Sequence, residues 1–297
     1  MIDACELVLA AAANLGEGAL WDTRTNSLLW VDIVERRVAQ FDPATRQNRV
    51  WQLETMVGAV VPTTDDDLMV AVHEGFARLN RETGCLSELQ TPANHDPATL
   101  RFNDGKCDPA GRFIAGTMSL SQQRGSAALY ALHPDGRLRR LLTGVTVSNG
   151  LAWSLDGSRL YYIDTPRRTI DAFDYDLAAG TIRNRRTAIE IPSELGYPDG
   201  MTRDADGMLW VAMWDGGAVT RWNPNSGRLL QSLALPVSRV TSCAFGGPNL
   251  ATLFVTSARR GLTPAELRRQ PLAGGIFALH PAASGIPADE FGGQRGE

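Results

Sequence analysis

The chain has 297 residues, 43% hydrophobic and 21% charged, with a formal net charge of −4. That balance is globular rather than disordered, and it lacks the basic excess of a nucleic-acid binder. No apolar run reaches the roughly 18–20 residues of a membrane span, and the opening, with Asp3 and Glu6 but no Lys or Arg, does not read as a secretory signal.

Cys5–Ala10 reads as a lone strand. A recurrent unit follows: a small residue, a short apolar stretch, a turn, then an apolar strand. Its copies begin at Glu17 (EGALWDTRTNSLLWVDI), Val57 (VGAVVPTTDDDLMVAV), Asp104 (DGKCDPAGRFIAGTM), Asn149 (NGLAWSLDGSRLYYID), Asp199 (DGMTRDADGMLWVAM) and Thr241 (TSCAFGGPNLATLFVTS). Each is trailed by an apolar or aromatic residue and then Asp, Asn or His, often followed by Pro, as in Phe41-Asp42-Pro43, Leu132-His133-Pro134 and Trp222-Asn223-Pro224. Asp and Asn close turns on their own backbone and Pro presets the turn dihedral, so these mark strand ends.

A four-stranded unit repeated at roughly 40–50 residues is the signature of a β-propeller. The spacing predicts an all-β, six-bladed propeller forming a single domain over 1–297. In blade four the strands fall at 148–154, 159–164, 169–176 and 181–189. One short helix is predicted near Thr263–Arg268, with Thr as N-cap and Pro at its first position. After Pro281 no strand remains, so Cys5–Ala10 is expected to complete blade six and close the ring. The tail over about 284–297 is expected to be loosely held.

The first strand of a propeller blade lines the central channel. Glu17, Val57, Asp104, Asn149, Asp199 and Thr241 therefore approach the axis at one end. Three acids and an amide in one small volume repel and raise one another's pKa, and a divalent cation held by oxygen ligands relieves that. Asp156-Gly157 and Asp206-Gly207 read instead as hairpin turns at the opposite end. The long connections Glu88–Arg101, Ser119–Ala127, Glu190–Pro198 and Ser257–Gly275 share the metal end, which makes it the binding mouth. Arg101 and Asn103 enter there beside Asp104, and the helix near Glu266 is a candidate lid.

Other signals are weaker. Asp204-Ala205-Asp206-Gly207 resembles the start of an EF-hand loop but lacks its remaining ligands. No Walker loop, GxGxxG, HExxH or G-x-S-x-G occurs. His133 and His280 occupy repeated turns and read as structural, whereas His73, His95 and Trp214 lie on the mouth side. Cys5, Cys85, Cys107 and Cys243 form no CxxC pair or zinc spacing, which suits reduced thiols in a cytoplasmic protein.

LGEGALWD at Leu15–Asp22, RFNDGKCDPAGRFIAGTM at Arg101–Met118, VSNGLAWSLDG at Val147–Gly157, YPDGMTRDADGMLWVAMW at Tyr197–Trp214 and TSCAFGGPNLATLFVTSA at Thr241–Ala258 resemble the regucalcin (senescence-marker-protein) and gluconolactonase family. The resemblance covers nearly the whole chain. It implies a six-bladed propeller with one divalent ion at the channel mouth, opening sugar lactones to aldonic acids. Carried over by position, Glu17, Asn149 and Asp199 are the metal ligands, Asp199 is the general acid/base, and Arg101 and Asn103 hold substrate hydroxyls. Asp104 lies behind them. Where some relatives carry an acidic residue in the loop after GTM, this chain has Ser119-Leu120-Ser121, and Ser121 remains able to bond a sugar. Oxygen ligands suit Ca²⁺, Mg²⁺ or Mn²⁺, with Zn²⁺ or Fe²⁺ also accommodated.

The expected partner is a small sugar lactone, with no nucleic acid or membrane, in a monomer or weak oligomer. Two alternatives stand beside the lactonase: a phosphotriester or other ester hydrolase on the same metal, and a calcium-binding regulator or docking disc without catalysis.

Overall fold

The structure is a computed structural model that describes residues 5–293. Six four-stranded antiparallel sheets are arranged in chain order around a channel. Their innermost strands are Gly16–Asp22, Val57–Pro62, Leu100–Cys107, Ser148–Trp153, Tyr197–Arg203 and Val240–Gly246. Blade four matches its predicted strands closely, at Ser148–Trp153, Arg159–Asp164, Thr169–Asp176 and Thr181–Glu190.

Burial explains the sequence texture. Inner strands are covered on both faces by neighbouring blades, so Val57–Pro62 and Leu68–Val72 are buried at every position. Such strands read as continuous apolar runs, not alternating ones. The outermost strand of blade one, Gln47–Gln52, has water on one face, and there only Trp51 is buried.

Glu6–Leu9 pairs antiparallel with Ile276–Leu279 and supplies the outer strand of blade six. First and last segments thus share one sheet, which closes the ring without a free sheet edge at the seam. The helix Pro264–Arg269 has the predicted Thr263 cap, in a capping box with Glu266.

As far as 293 the tail runs across the face opposite the long loops. Ala205 N–H donates to the Ser284 carbonyl and Gly285 N–H to that of Leu250, at blades five and six. Further on, Phe291 N–H donates to the Pro62 carbonyl and Gly292 N–H to that of Gly111, at blades two and three. A strand was not needed to hold it: isolated backbone bonds, with Phe291 and Ala288 packed on the core, suffice. Residues 294–297 of that predicted tail lie outside the described residues.

Candidate active site

In every blade the pairing of the innermost strand with its neighbour slips register at the same level: between Glu17 and Leu20, Val57 and Ala59, Phe102 and Gly105, Asn149 and Leu151, Pro198 and Met201, and Val240 and Ser242. Such slips bend a strand and re-aim a side chain, and they favour the rims of closed sheets. Glycine at the slip lets adjacent inner strands meet. A Cβ on Gly58 would lie 2.1 Å from the Asn103 carbonyl oxygen, and one on Gly150 would lie 2.9 Å from that of Asp199.

The slips bring Glu17, Asn149 and Asp199 to the wall of one cavity of about 540 Å³ at the loop-bearing mouth, together with Arg101, Asn103 and Trp214. All three are buried, at 6%, 4% and 5% exposure. The other blade-opening positions behave differently. Thr241 donates its hydroxyl to the Gly16 carbonyl, and Val57 is fully buried hydrocarbon. Asp104 does not reach the cavity wall. It lies within the slip of blade three, which turns Asn103 to the mouth and leaves Asp104 beside Lys106. Asp104 is thus set back from the cavity, while its carboxylate still acts on Glu17 and Asp199. Among the described residues no three His, Cys, Asp or Glu side chains are grouped to hold an ion, and the third oxygen donor of the mouth cluster is the Asn149 amide.

A directed chain of hydrogen bonds orients that amide. Arg101 Nη1 donates to Asn103 Oδ1 at 2.7 Å, and Asn103 Nδ2 donates to Asn149 Oδ1 at 2.9 Å. Asn149 Nδ2 donates to Thr165 Oγ1 at 2.7 Å, and the Thr165 hydroxyl donates to the Pro198 carbonyl at 2.9 Å. An amide oxygen has two acceptor sites, so Asn149 Oδ1 keeps one for a ligand. Asp199's carboxylate accepts no hydrogen bond from any described residue.

Charge is the unsatisfied quantity here. Burial, then the Asp104 carboxylate, pushes Glu17 up to about 8, against the Gly18 N–H and Arg101. Asp199 is held well above the ordinary carboxylate range by burial first and then by Glu17 and Asp104. Arg101 falls to about 10 because it is buried, although Glu17 and Asp199 oppose the fall. Two buried carboxylates and an aimed amide oxygen, all hard donors, fit a divalent cation.

Sequence reasoning missed several lining residues. Thr165 follows the second strand of blade four and opens a one-turn 3-10 helix, and only the three-dimensional ring shows that its hydroxyl meets Asn149. Gln122, not Ser121, lines the cavity; Ser121 is exposed and bonds Ser119 Oγ at 3.1 Å. Arg260 and Gly261 enter from the Ser257–Gly275 loop, whereas no residue of the helix lines the cavity. The helix instead packs Leu267 against the core of blades five and six. His73 and His95 are structural. His73 Nε2 meets the Pro97 carbonyl at 2.6 Å, and His95 Nε2 meets that of His73 at 2.7 Å.

Fold and site define a class: six-bladed propellers with a carboxylate–amide–guanidinium cavity at one channel mouth. Residues 15–259 match the family model described as SMP-30/Gluconolactonase/LRE-like region, and the chain belongs to that family. It is 42% identical to regucalcin of Homo sapiens over 279 residues, 92% of this chain and 93% of that protein. The calcium-binding protein regucalcin from Agrobacterium tumefaciens superposes with a TM-score of 0.93 at 26% identity, covering 98% of each chain. A luciferin-regenerating enzyme superposes at 0.90 with 29% identity, covering 97% of this chain and 99% of the other.

Proposed function

We propose that this chain is a divalent-metal-dependent sugar lactone hydrolase of the gluconolactonase kind, opening the ring to the aldonic acid. Its observation is the cavity itself: Glu17, Asn149 and Asp199 share one wall, with the Asn149 amide held by Asn103 and Thr165. These three residues would hold the ion. When bound, it supplies Lewis-acid polarisation of the lactone carbonyl and balances the two carboxylates.

The remaining work falls to side chains. Water adds to the carbonyl carbon, and Asp199 takes its proton as general base. The ring C–O bond then breaks, and Asp199 returns the proton to the departing ring oxygen. Asp199 suits both roles because it lines the cavity and no hydrogen bond from the described residues ties up its carboxylate. Arg101 and Asn103, fixed to each other, orient the substrate oxygens and offset the developing negative charge. Leu15, Met118 and Val147 wall the cavity with hydrocarbon and limit stray water.

Asp199→Asn and Glu17→Gln should each lower kcat/KM on gluconolactone by about 10²–10³ while leaving the circular dichroism of the ring unchanged. Near-full activity of Asp199→Asn with a full metal complement would contradict the assignment. The name of the Agrobacterium neighbour, a calcium-binding protein, favours a second reading in which the ion is bound without turnover. A panel of gluconolactone, xylonolactone, arabinolactone and an organophosphate separates lactonase, other hydrolase and non-enzyme.

A further inference from the structure

The cavity is lined by four charged side chains: Glu17, Asp199, Arg101 and Arg260. The two guanidinium groups differ from several arginines elsewhere in the ring. Arg112 pairs with Asp108 at 2.7 Å, Arg221 with Asp204 at 2.6 Å and Arg185 with Asp171 at 2.5 Å. Arg101, only 9% exposed, has no carboxylate within ion-pair distance among the described residues; its Nη1 donates to the Phe102 carbonyl and Asn103 Oδ1. Arg260 has no such partner either. Its backbone is fixed by donation to the Asn14 carbonyl at 2.8 Å, which holds the residue at the mouth.

Arg260 comes from the Ser257–Gly275 loop and borders the same cavity that Glu17, Asp199 and Arg101 line. With the carboxylates committed to a divalent ion, Arg101, buried in the wall, and Arg260, exposed at the rim, have no carboxylate left to pair with among the described residues. A neutral sugar offers them only hydroxyls. An anion gives charge-assisted bonds, which are about twice as strong as neutral ones.

We propose that the preferred substrate is a sugar lactone carrying a second, anionic group, a carboxylate or a phosphoryl, held by Arg260 at the open rim of the cavity. The lactone ring rests on the function proposed above; the anionic group rests on Arg101 and Arg260 alone.

The test compares kcat/KM on gluconolactone with that on glucarolactone and on 6-phosphogluconolactone, for wild type, Arg260→Ala, Arg260→Lys and, as a control outside the cavity, Arg259→Ala. Calorimetry on the metal-loaded protein measures binding of the ring-opened gluconate, glucarate and 6-phosphogluconate independently of turnover. The charged-to-neutral ratio should be at least about 10 in wild type, fall about tenfold in Arg260→Ala mainly through KM, recover largely in Arg260→Lys and stay unchanged in Arg259→Ala. It should also shrink as salt rises from about 20 to about 300 mM. Whichever charged lactone wins distinguishes carboxylate from phosphoryl. A wild-type ratio near one, or an equal loss on neutral and charged lactones in Arg260→Ala, would overturn the proposal. If no lactone is hydrolysed, the lactonase reading fails by itself; calorimetry then decides this inference, and glucarate and 6-phosphogluconate binding no tighter than gluconate would sink it.

Discussion

Asn149 is held at both ends of its amide. Its Oδ1 accepts from Asn103 Nδ2 and its Nδ2 donates to Thr165 Oγ1, and the two contacts together fix the amide's orientation. Thr165→Val keeps the shape of the side chain and removes the acceptor. It should weaken divalent-ion binding about 10- to 100-fold, the usual range for a residue that orients a ligand, while Thr165→Ser keeps most of it. Calorimetric titration with Ca²⁺ or Mn²⁺ measures both, and an unchanged affinity in the Val variant would show that the amide needs no such guide. Asn149 itself was legible in the sequence, because an Asn-Gly that opens a strand is not a hairpin turn. Thr165 was not, because its partner lies 16 positions away and nothing in local pattern links the end of one strand to the start of its neighbour. Arg260 was hidden for a similar reason: it sits beside Arg259 in a long loop, and nothing in local pattern says which of the two borders the cavity.

The strands were legible because burial writes itself into composition, and inner strands covered on both faces become unbroken apolar runs. The register slips were not, although the glycines that permit them were plain. The slips are why Asn103 lines the cavity and Asp104, one residue on, does not. The turn after the inner strand of blade two shows how an element is fastened. Asp65 accepts from the Thr63 hydroxyl at 2.5 Å, from the Asp67 N–H at 3.1 Å and from Arg78 at 2.9 Å. These bonds, the Thr63 hydroxyl first, lower Asp65 to about 2 from an ordinary 3.8. A depressed carboxylate stabilises the fold above its unfolded pKa and loses that contribution as pH falls through its folded pKa. The stability advantage of wild type over Asp65→Asn should therefore be complete at pH 6 and shrink between about pH 4 and pH 2. Urea midpoints across that range check it, and a gap that stays constant with pH would remove Asp65 as its source.

At the scale of the whole ring, two closures act at different places. The N-terminal strand completes blade six, as the strand count required. The strap from 284 to 293 joins blades five and six to blades two and three across the opposite face, and turn-rich sequence without periodicity gave no sign of it. Below it a small cavity of about 60 Å³ contains Lys106, Cys107, Trp153 and Phe245 beside Ile286 and Pro287. Ending the chain at 283 should lower the melting temperature by about 5 °C, from the lost half-buried apolar contacts and backbone bonds. Lactone turnover should stay within about twofold, because distant sites act independently. A melting temperature unaffected by the truncation would mean that the strap merely rests on the ring.

The ring as a whole exists, on this reading, to bring Glu17, Asn149 and Asp199 around one divalent ion that activates lactone opening. The most direct measurement is a titration of chelator-stripped protein with Mn²⁺ or Ca²⁺ while gluconolactone hydrolysis is followed. Activity should be absent at the start and rise to a plateau at one ion per chain. Full hydrolysis by the stripped protein, or one tightly bound ion per chain with no hydrolysis of any lactone, would contradict it.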